Sequence, residues 1–205
     1  MNSESSRSYR KNLITNGLIY INGEEREVSV SNISMTGVLV ELNSEINADS
    51  DFDDSLISTV IDFYLPQLRL AGAAEIIRIT KNEAQVAFAL KFKEITYNID
   101  SLLYKRKVYR KNMSVSGRIL LNNEYYDFHT INVSVAGLMI RLPETVVIAE
   151  GMTTAFEFKD LSLKGEVNVV WLDFDAEGKT LVGLKYINMN TDQIKGIPRF
   201  YIETD

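Results

Sequence analysis

Two arginines four residues apart, Arg106 and Arg110, are followed about twenty residues later by Asn132-Val133-Ser134-Val135-Ala136-Gly137. A guanidinium fork suits phosphate oxygens and the O6/N7 edge of guanine, both of which it can engage bidentately. Asn132 and Ser134 lie two apart in a segment expected to be extended, so their amide and hydroxyl are expected on one side, able to donate and accept toward a base edge. Gly137 is expected to supply either a positive φ or a close approach of ligand to backbone. The arginines sit in Lys105 to Lys111, where five of seven residues are cationic and none is acidic. That chemistry is anion and base recognition.

Catalysis has little to work with. The single histidine, His129, is expected on a strand, solvent-facing or half-buried, with no nucleophile or orienting partner evident. No G-x-S-x-G, phosphate-binding P-loop or H-E-x-x-H pattern occurs. The chain is therefore expected to be non-enzymatic, without catalytic residues, cofactor or metal. The acidic stretch Glu45, Asp49, Asp51, Asp53, Asp54 could offer oxygens to Ca²⁺, but it lacks an EF-hand's turn glycine and terminal glutamate, so a solvated loop is expected. Cysteine is absent, which excludes disulfides and thiolate metal sites. No apolar run is long enough to span a bilayer. Met1-Asn2-Ser3-Glu4 does not have the layout of a signal peptide, so a cytoplasmic location is expected.

The elements that must position these residues come twice. Tyr9-Arg10-Lys11-Asn12 recurs as Tyr109-Arg110-Lys111-Asn112, and Asn32-Ile33-Ser34-Met35-Thr36-Gly37 recurs as Asn132 to Gly137. Further on, the offset shortens: Ala71-Gly72 matches Lys164-Gly165, and Phe88 to Phe92 matches Val182 to Tyr186. A register held that long marks two copies of one domain, 1–100 and 101–205. Each copy is a series of short apolar runs split by turn residues such as Asn22-Gly23 and Asn122-Asn123. The expected fold class is all-β with short helices: two tandem small antiparallel barrels, closed so that no sheet edge is left open. A short C-terminal helix is expected after each, over Ile99–Tyr104 and Asp192–Ile197, with Pro198 directly after the second.

The ordered pair of motifs in a small β domain resembles the PilZ domain, a family of bacterial receptors for cyclic di-GMP. The resemblance covers the whole second copy. It implies a six-stranded antiparallel barrel whose basic arm closes over the dinucleotide. Arg106 and Arg110 would take guanine and phosphate, Asn132 and Ser134 the other guanine, and Gly137 would shape the receiving strand. Lys105 before the first motif arginine resembles members that take a stacked pair of ligands. In the first copy Arg10, Asn32, Ser34 and Gly37 are kept, but Ser6 stands where Arg106 does, and Arg7 is one residue off. That copy also holds the entire net charge of −6, with 9 cations against 15 acids. It is expected to be a degenerate barrel with at most a weak second site, serving protein contact or dimerisation. The arrangement resembles flagellar-brake receptors of the YcgR type.

The resemblance thus implies a receptor whose partners are cyclic di-GMP, an effector protein and a second copy of the chain, with output in motility, biofilm or exopolysaccharide control. A single-stranded nucleic-acid binder is the alternative from another class, disfavoured by the overall acidity. A ligand-independent interaction module is a third. Trp171 is expected to pack on its strand rather than stack on a base, and Tyr109, matched by Tyr9, to have a structural role shared by both copies.

Overall fold

The computed structural model describes residues 11–43, 52–82, 85–97, 108–158, 163–189, 194 and 196–200. The chain divides into two units, Met1–Lys107 with Phe200–Asp205, and Val108–Arg199.

In the first unit, β1 (Lys11–Ile21), β2 (Glu24–Ile33), β3 (Gly37–Leu42), β4 (Val60–Leu65), β5 (Leu70–Lys81) and β6 (Val86–Tyr97) form a closed barrel in the order β1-β2-β3-β6-β5-β4. Every neighbouring pair is antiparallel. Asn22 and Gly23, at φ 52° and 83°, make the tight β1–β2 turn that their types favour. Alternate residues point inward, as in β3, where Val38, Val40 and Leu42 are buried. Phe52 meets Phe88 edge-on inside this barrel, 5.4 Å between centroids.

The second unit contains β7 (Lys111–Asn112), β8 (Ser116–Leu121), β9 (Glu124–Val133), β10 (Gly137–Arg141), β11 (Thr153–Phe158), β12 (Leu163–Phe174) and β13 (Thr180–Ile187). The sheet β10-β13-β12-β11-β8-β9 closes through a β9–β10 pairing, and β7 adds to β9. In the first barrel the edge corresponding to β7 and β8 is the single strand β1. Here the break falls at Met113–Val115. The buried Thr130 hydroxyl spans it, donating to the Met113 carbonyl and accepting from Val115 N–H at 2.8 Å.

The expected tandem barrels are present, and neither expected helix is seen among the described residues. Of the second expected helix, Ile194, Gly196 and Ile197 are described, and none is helical. Gly196 has φ 77°, in the left-handed region that ends a helix. Ile194 and Ile197 are buried in the second core, so this segment contributes apolar side chains rather than a helical face. The first expected helix, Ile99–Tyr104, lies outside the described residues. Among the described residues, helix is limited to single 3-10 turns at Asp54–Leu56 and Pro66–Leu68. No helix among them is long and apolar enough to cross a membrane.

One glycine in each copy sets how closely two strands approach. A Cβ on Gly137 would lie 2.1 Å from the Leu184 carbonyl oxygen of β13, and one on Gly37 2.2 Å from that of Leu90 on β6. Neither glycine has a positive φ. The close approach expected at Gly137 therefore comes from the neighbouring strand's backbone. Because backbone cannot step aside as a side-chain tip can, Gly137→Ala is expected to destabilise the second barrel by about 1–3 kcal/mol. Denaturant unfolding of the full chain reads this directly, and an unchanged midpoint would contradict the packing account.

Candidate functional site

The end of β9 and the loop into β10 carry the motif, and β7 brings the basic arm to it. Lys111 pairs with Val133 and Asn112 with Asn132, so exposed Arg110 stands one residue before the pair that abuts Ser134. Tyr109 beside it is 8% exposed, in keeping with a structural role. Lys111 Nζ reaches the Gly196 carbonyl at 3.4 Å. Lys105, Arg106 and Lys107 lie outside the described residues, as do Ser6, Arg7, Tyr9 and Arg10 of the first copy.

Asn132 and Ser134 do not project together from an extended strand. β9 ends at Val133, and Ser134 begins a turn. Its N–H and hydroxyl both donate to the Gly137 carbonyl, at 2.9 and 3.1 Å, and the hydroxyl accepts from Ala136 N–H at 3.2 Å. Ser134 is 2% exposed, so its hydroxyl is used in building the loop. Ser34 repeats this geometry, with distances of 2.8 and 3.2 Å to the Gly37 carbonyl and 3.3 Å from Thr36 N. Serine and glycine together define one loop shape in both copies. The loop tips differ: Met35 is 90% exposed, whereas Val135 is buried.

Asn132 is left with an unmet need. Its Nδ2 donates to the Met139 sulfur at 3.6 Å, and its buried Oδ1 has no partner among the described residues. A buried acceptor without a donor costs about 1–3 kcal/mol, a cost that an incoming N–H relieves. The thioether over it sits on a flexible side chain that can swing aside.

The strand register extends this site across the sheet. Asn132 lies opposite Met139, Met139 opposite Gly183, and Gly183 opposite Trp171, one row over four strands. A one-residue bulge at Val170 precedes Trp171. The indole lies directly on Gly183, where a Cβ would come within 2.0 Å of Nε1. Half-buried Trp171 is thus packed on its sheet, as expected, and it also gives the outer wall a flat aromatic surface beside the motif.

The corresponding row in the first barrel is Asn32, Leu39, Ala89 and Arg78, after a bulge at Ile77. Arginine replaces the indole there and alanine the glycine. The wall consequently holds a hollow of about 340 Å³, lined by the motif residues Asn32, Ser34 and Gly37 together with Leu39, Arg78, Ala89 and Lys91. Reading the motifs alone misses Arg78. The signal for it is the repeat offset set by Ala71-Gly72 and Lys164-Gly165, which carries Arg78 onto Trp171.

Next to the Trp171 row, Arg141 lies opposite Leu181, and its Nε is 3.1 Å from Asp175 Oδ2, within ion-pair reach but not aligned as a hydrogen bond. Asp175 Oδ1 accepts from Lys179 N–H and Glu177 N–H, both at 2.9 Å, in the β12–β13 turn. The Lys179 N–H above all, helped by Glu177 N–H and the charges of Arg141 and Lys179, holds this carboxyl below the ordinary aspartate range despite partial desolvation. His129 is exposed, its Nδ1 3.2 Å from the Ser116 hydroxyl. Among the described residues no three His, Asp or Glu side chains gather as a metal site. Of the acidic stretch, Asp53 caps a 3-10 turn by accepting from Ser55 N–H at 2.9 Å, while Glu45, Asp49 and Asp51 lie outside the described residues.

The PilZ domain family matches the chain twice, over residues 4–103 and 104–203. The chain belongs to the PilZ domain family. Similar solved structures include the Bacillus subtilis inhibitor of motility MotI/DgrA, at 15% identity, TM-score 0.39, with 87% of this chain and 90% of that one covered. Escherichia coli YcgR in complex with c-di-GMP is similar at 11% identity and TM-score 0.36, over 88% and 80%. Borreliella burgdorferi PlzA in complex with c-di-GMP is similar at 10% and 0.32, over 89% and 86%. A comparison with curated protein sequences finds no significant match.

Two outcomes are expected from this geometry. Gly183→Ala pushes the indole off the sheet while leaving the backbone in place, so the emission of the chain's only tryptophan should shift to the red with little loss of stability. Unchanged emission would contradict the stacked placement. Asp175, with its folded value depressed, contributes stability that is complete above the unfolded value near 3.9 and is lost as pH falls through the folded one. Asp175→Asn should therefore flatten the acid limb of a stability–pH profile, and an unaltered limb would count against the turn's carboxylate.

Proposed function

We propose that the chain is a non-enzymatic receptor for cyclic di-GMP and that the second barrel binds the ligand. Membership of the PilZ family supports this reading. The observation that carries it is the buried, partnerless Asn132 Oδ1, set between the Arg110 end of the arm and the Trp171 surface. Guanine offers ring and exocyclic N–H donors to such an acceptor, and its face suits a flat aromatic. Arg110, with Arg106 and Lys105 ahead of it in sequence, supplies the guanidinium and ammonium groups that a doubly anionic ligand needs. Ser134 and Gly137 serve by holding the loop that presents Asn132.

The arm is also the covalent link between the copies. Closing it over ligand biases their arrangement to the extent that affinity differs between arrangements. The altered arrangement is the signal passed to an effector protein in motility, biofilm or exopolysaccharide control. The protein acts in the cytoplasm, where such a messenger is met, and the first copy supplies protein contacts, including those of a homodimer.

Titration calorimetry of the full chain with cyclic di-GMP tests the site. Arg110→Ala should weaken binding about ten- to hundredfold, the effect of one charge-assisted contact of about 1.5–3 kcal/mol. No binding below about 100 μM, or equal binding by Arg110→Ala, overturns the proposal.

A further inference from the structure

The hollow in the first barrel differs from the second-barrel site in kind. Its floor is Leu39 and Ala89, its motif side is Asn32, and two cations, Arg78 and Lys91, stand at its rim. Arg78 is exposed and, among the described residues, has neither hydrogen bond nor ion pair. Lys91 lies opposite Glu75 in the register, but the Glu75 carboxylate is taken by Lys93 at 2.6 Å. Arg78 is therefore left without an acid among the described residues, and Lys91 shares the field of one carboxylate, Glu75, with Lys93.

The shape narrows the ligand. A half-open hollow of about 340 Å³, at the small end of ligand cavities, which start near ~300 Å³, has room for a single ring system with a short substituent. Apolar floor, amide and paired cations together match an aromatic heterocycle carrying one phosphate. The same row in the second barrel differs, because Trp171 lies over Gly183 in place of Arg78, which leaves Lys185 as the counterpart of Lys91 without a guanidinium beside it.

We propose that the first barrel binds a nucleoside monophosphate in this hollow, with Arg78 and Lys91 on the phosphate, the base against Leu39 and Ala89, and the Asn32 amide at the base edge. Arg78 supplies from the barrel wall a guanidinium that this copy's arm lacks at Ser6. The first copy is then a second sensor with its own ligand class. This does not rest on the second barrel binding cyclic di-GMP.

Amide chemical-shift titration of the full chain with GMP, and separately with AMP and with inorganic phosphate, tests the proposal. Saturable shifts at Gly37, Ile77 and Ala89 are expected with a nucleotide below about 1 mM. Arg78→Ala should weaken them at least about tenfold, the loss of one charge-assisted contact, and Arg78→Lys should restore part. Arg78 is exposed, so neither variant threatens folding. Arg110→Ala should leave these shifts intact, and cyclic di-GMP binding should respond in the opposite way, which separates failure here from failure of the second-barrel site. No saturable shift, shifts confined to β9–β13, shifts unaltered by Arg78→Ala, or phosphate alone acting as well as GMP and AMP would each overturn it.

Discussion

The close approach at Gly37 and Gly137 is the constraint on which the rest depends. With hydrogen in place of a side chain, the first residue of β3 or β10 can sit against the carbonyl of the neighbouring strand, and the barrel closes at that seam. The serine three residues earlier then folds its hydroxyl and N–H onto the glycine carbonyl, which fixes the preceding turn. Asparagine at the end of the strand is presented as a consequence. The serine and glycine of the motif thus build its backbone, and in the second copy the asparagine keeps a buried oxygen with no partner among the described residues.

Because that device is the same in both copies, their difference lies in the row that runs away from it across the wall. Met139, Gly183 and Trp171 give the second barrel a polarizable cover and a flat aromatic surface. Leu39, Ala89 and Arg78 give the first an open hollow with a charged rim. Bulges at Val170 and Ile77 precede the deciding residue in each case, and bulges re-aim side chains where a regular strand would not. Three differences along one row turn a flat aromatic wall into an open hollow with a charged rim on the same frame.

Most of the frame was legible in the sequence. The repeat showed two domains, Asn22-Gly23 announced a hairpin with the expected positive φ values, and alternation placed most strands. Strands β4 and β11 were not anticipated. Val60–Leu65 is buried at almost every position, so it lacks the period-2 signal, and Thr153–Phe158 has too few apolar residues around it to stand out. Of the expected helix at Asp192–Ile197, the described residues Ile194, Gly196 and Ile197 are not helical, for a different reason. A cap-like Thr191 and spaced isoleucines resemble a helix start, but Gly196 takes a left-handed conformation and the isoleucines go to the barrel core.

For the site, residue types were easier to see than their roles. Motif spacing picked out Asn132, Ser134 and Gly137, and suggested that Asn132 and Ser134 face a base edge together while Gly137 shapes the receiving strand. Hydrogen bonds assign two of them to the loop itself, because local side-chain-to-backbone bonding cannot be inferred from alternation once a strand has ended. Arg78 was invisible to motif reading, since its partners Ala89 and Asn32 are distant in sequence and meet only through the register. The central claim is one frame carrying two different sites. A crystal structure of the full chain grown with cyclic di-GMP and GMP together tests it most directly. The dinucleotide is expected against Arg110, Asn132 and Trp171, and the mononucleotide against Arg78 and Lys91. Cyclic di-GMP in the first hollow, or both hollows filled by the same ligand in the same pose, would contradict it.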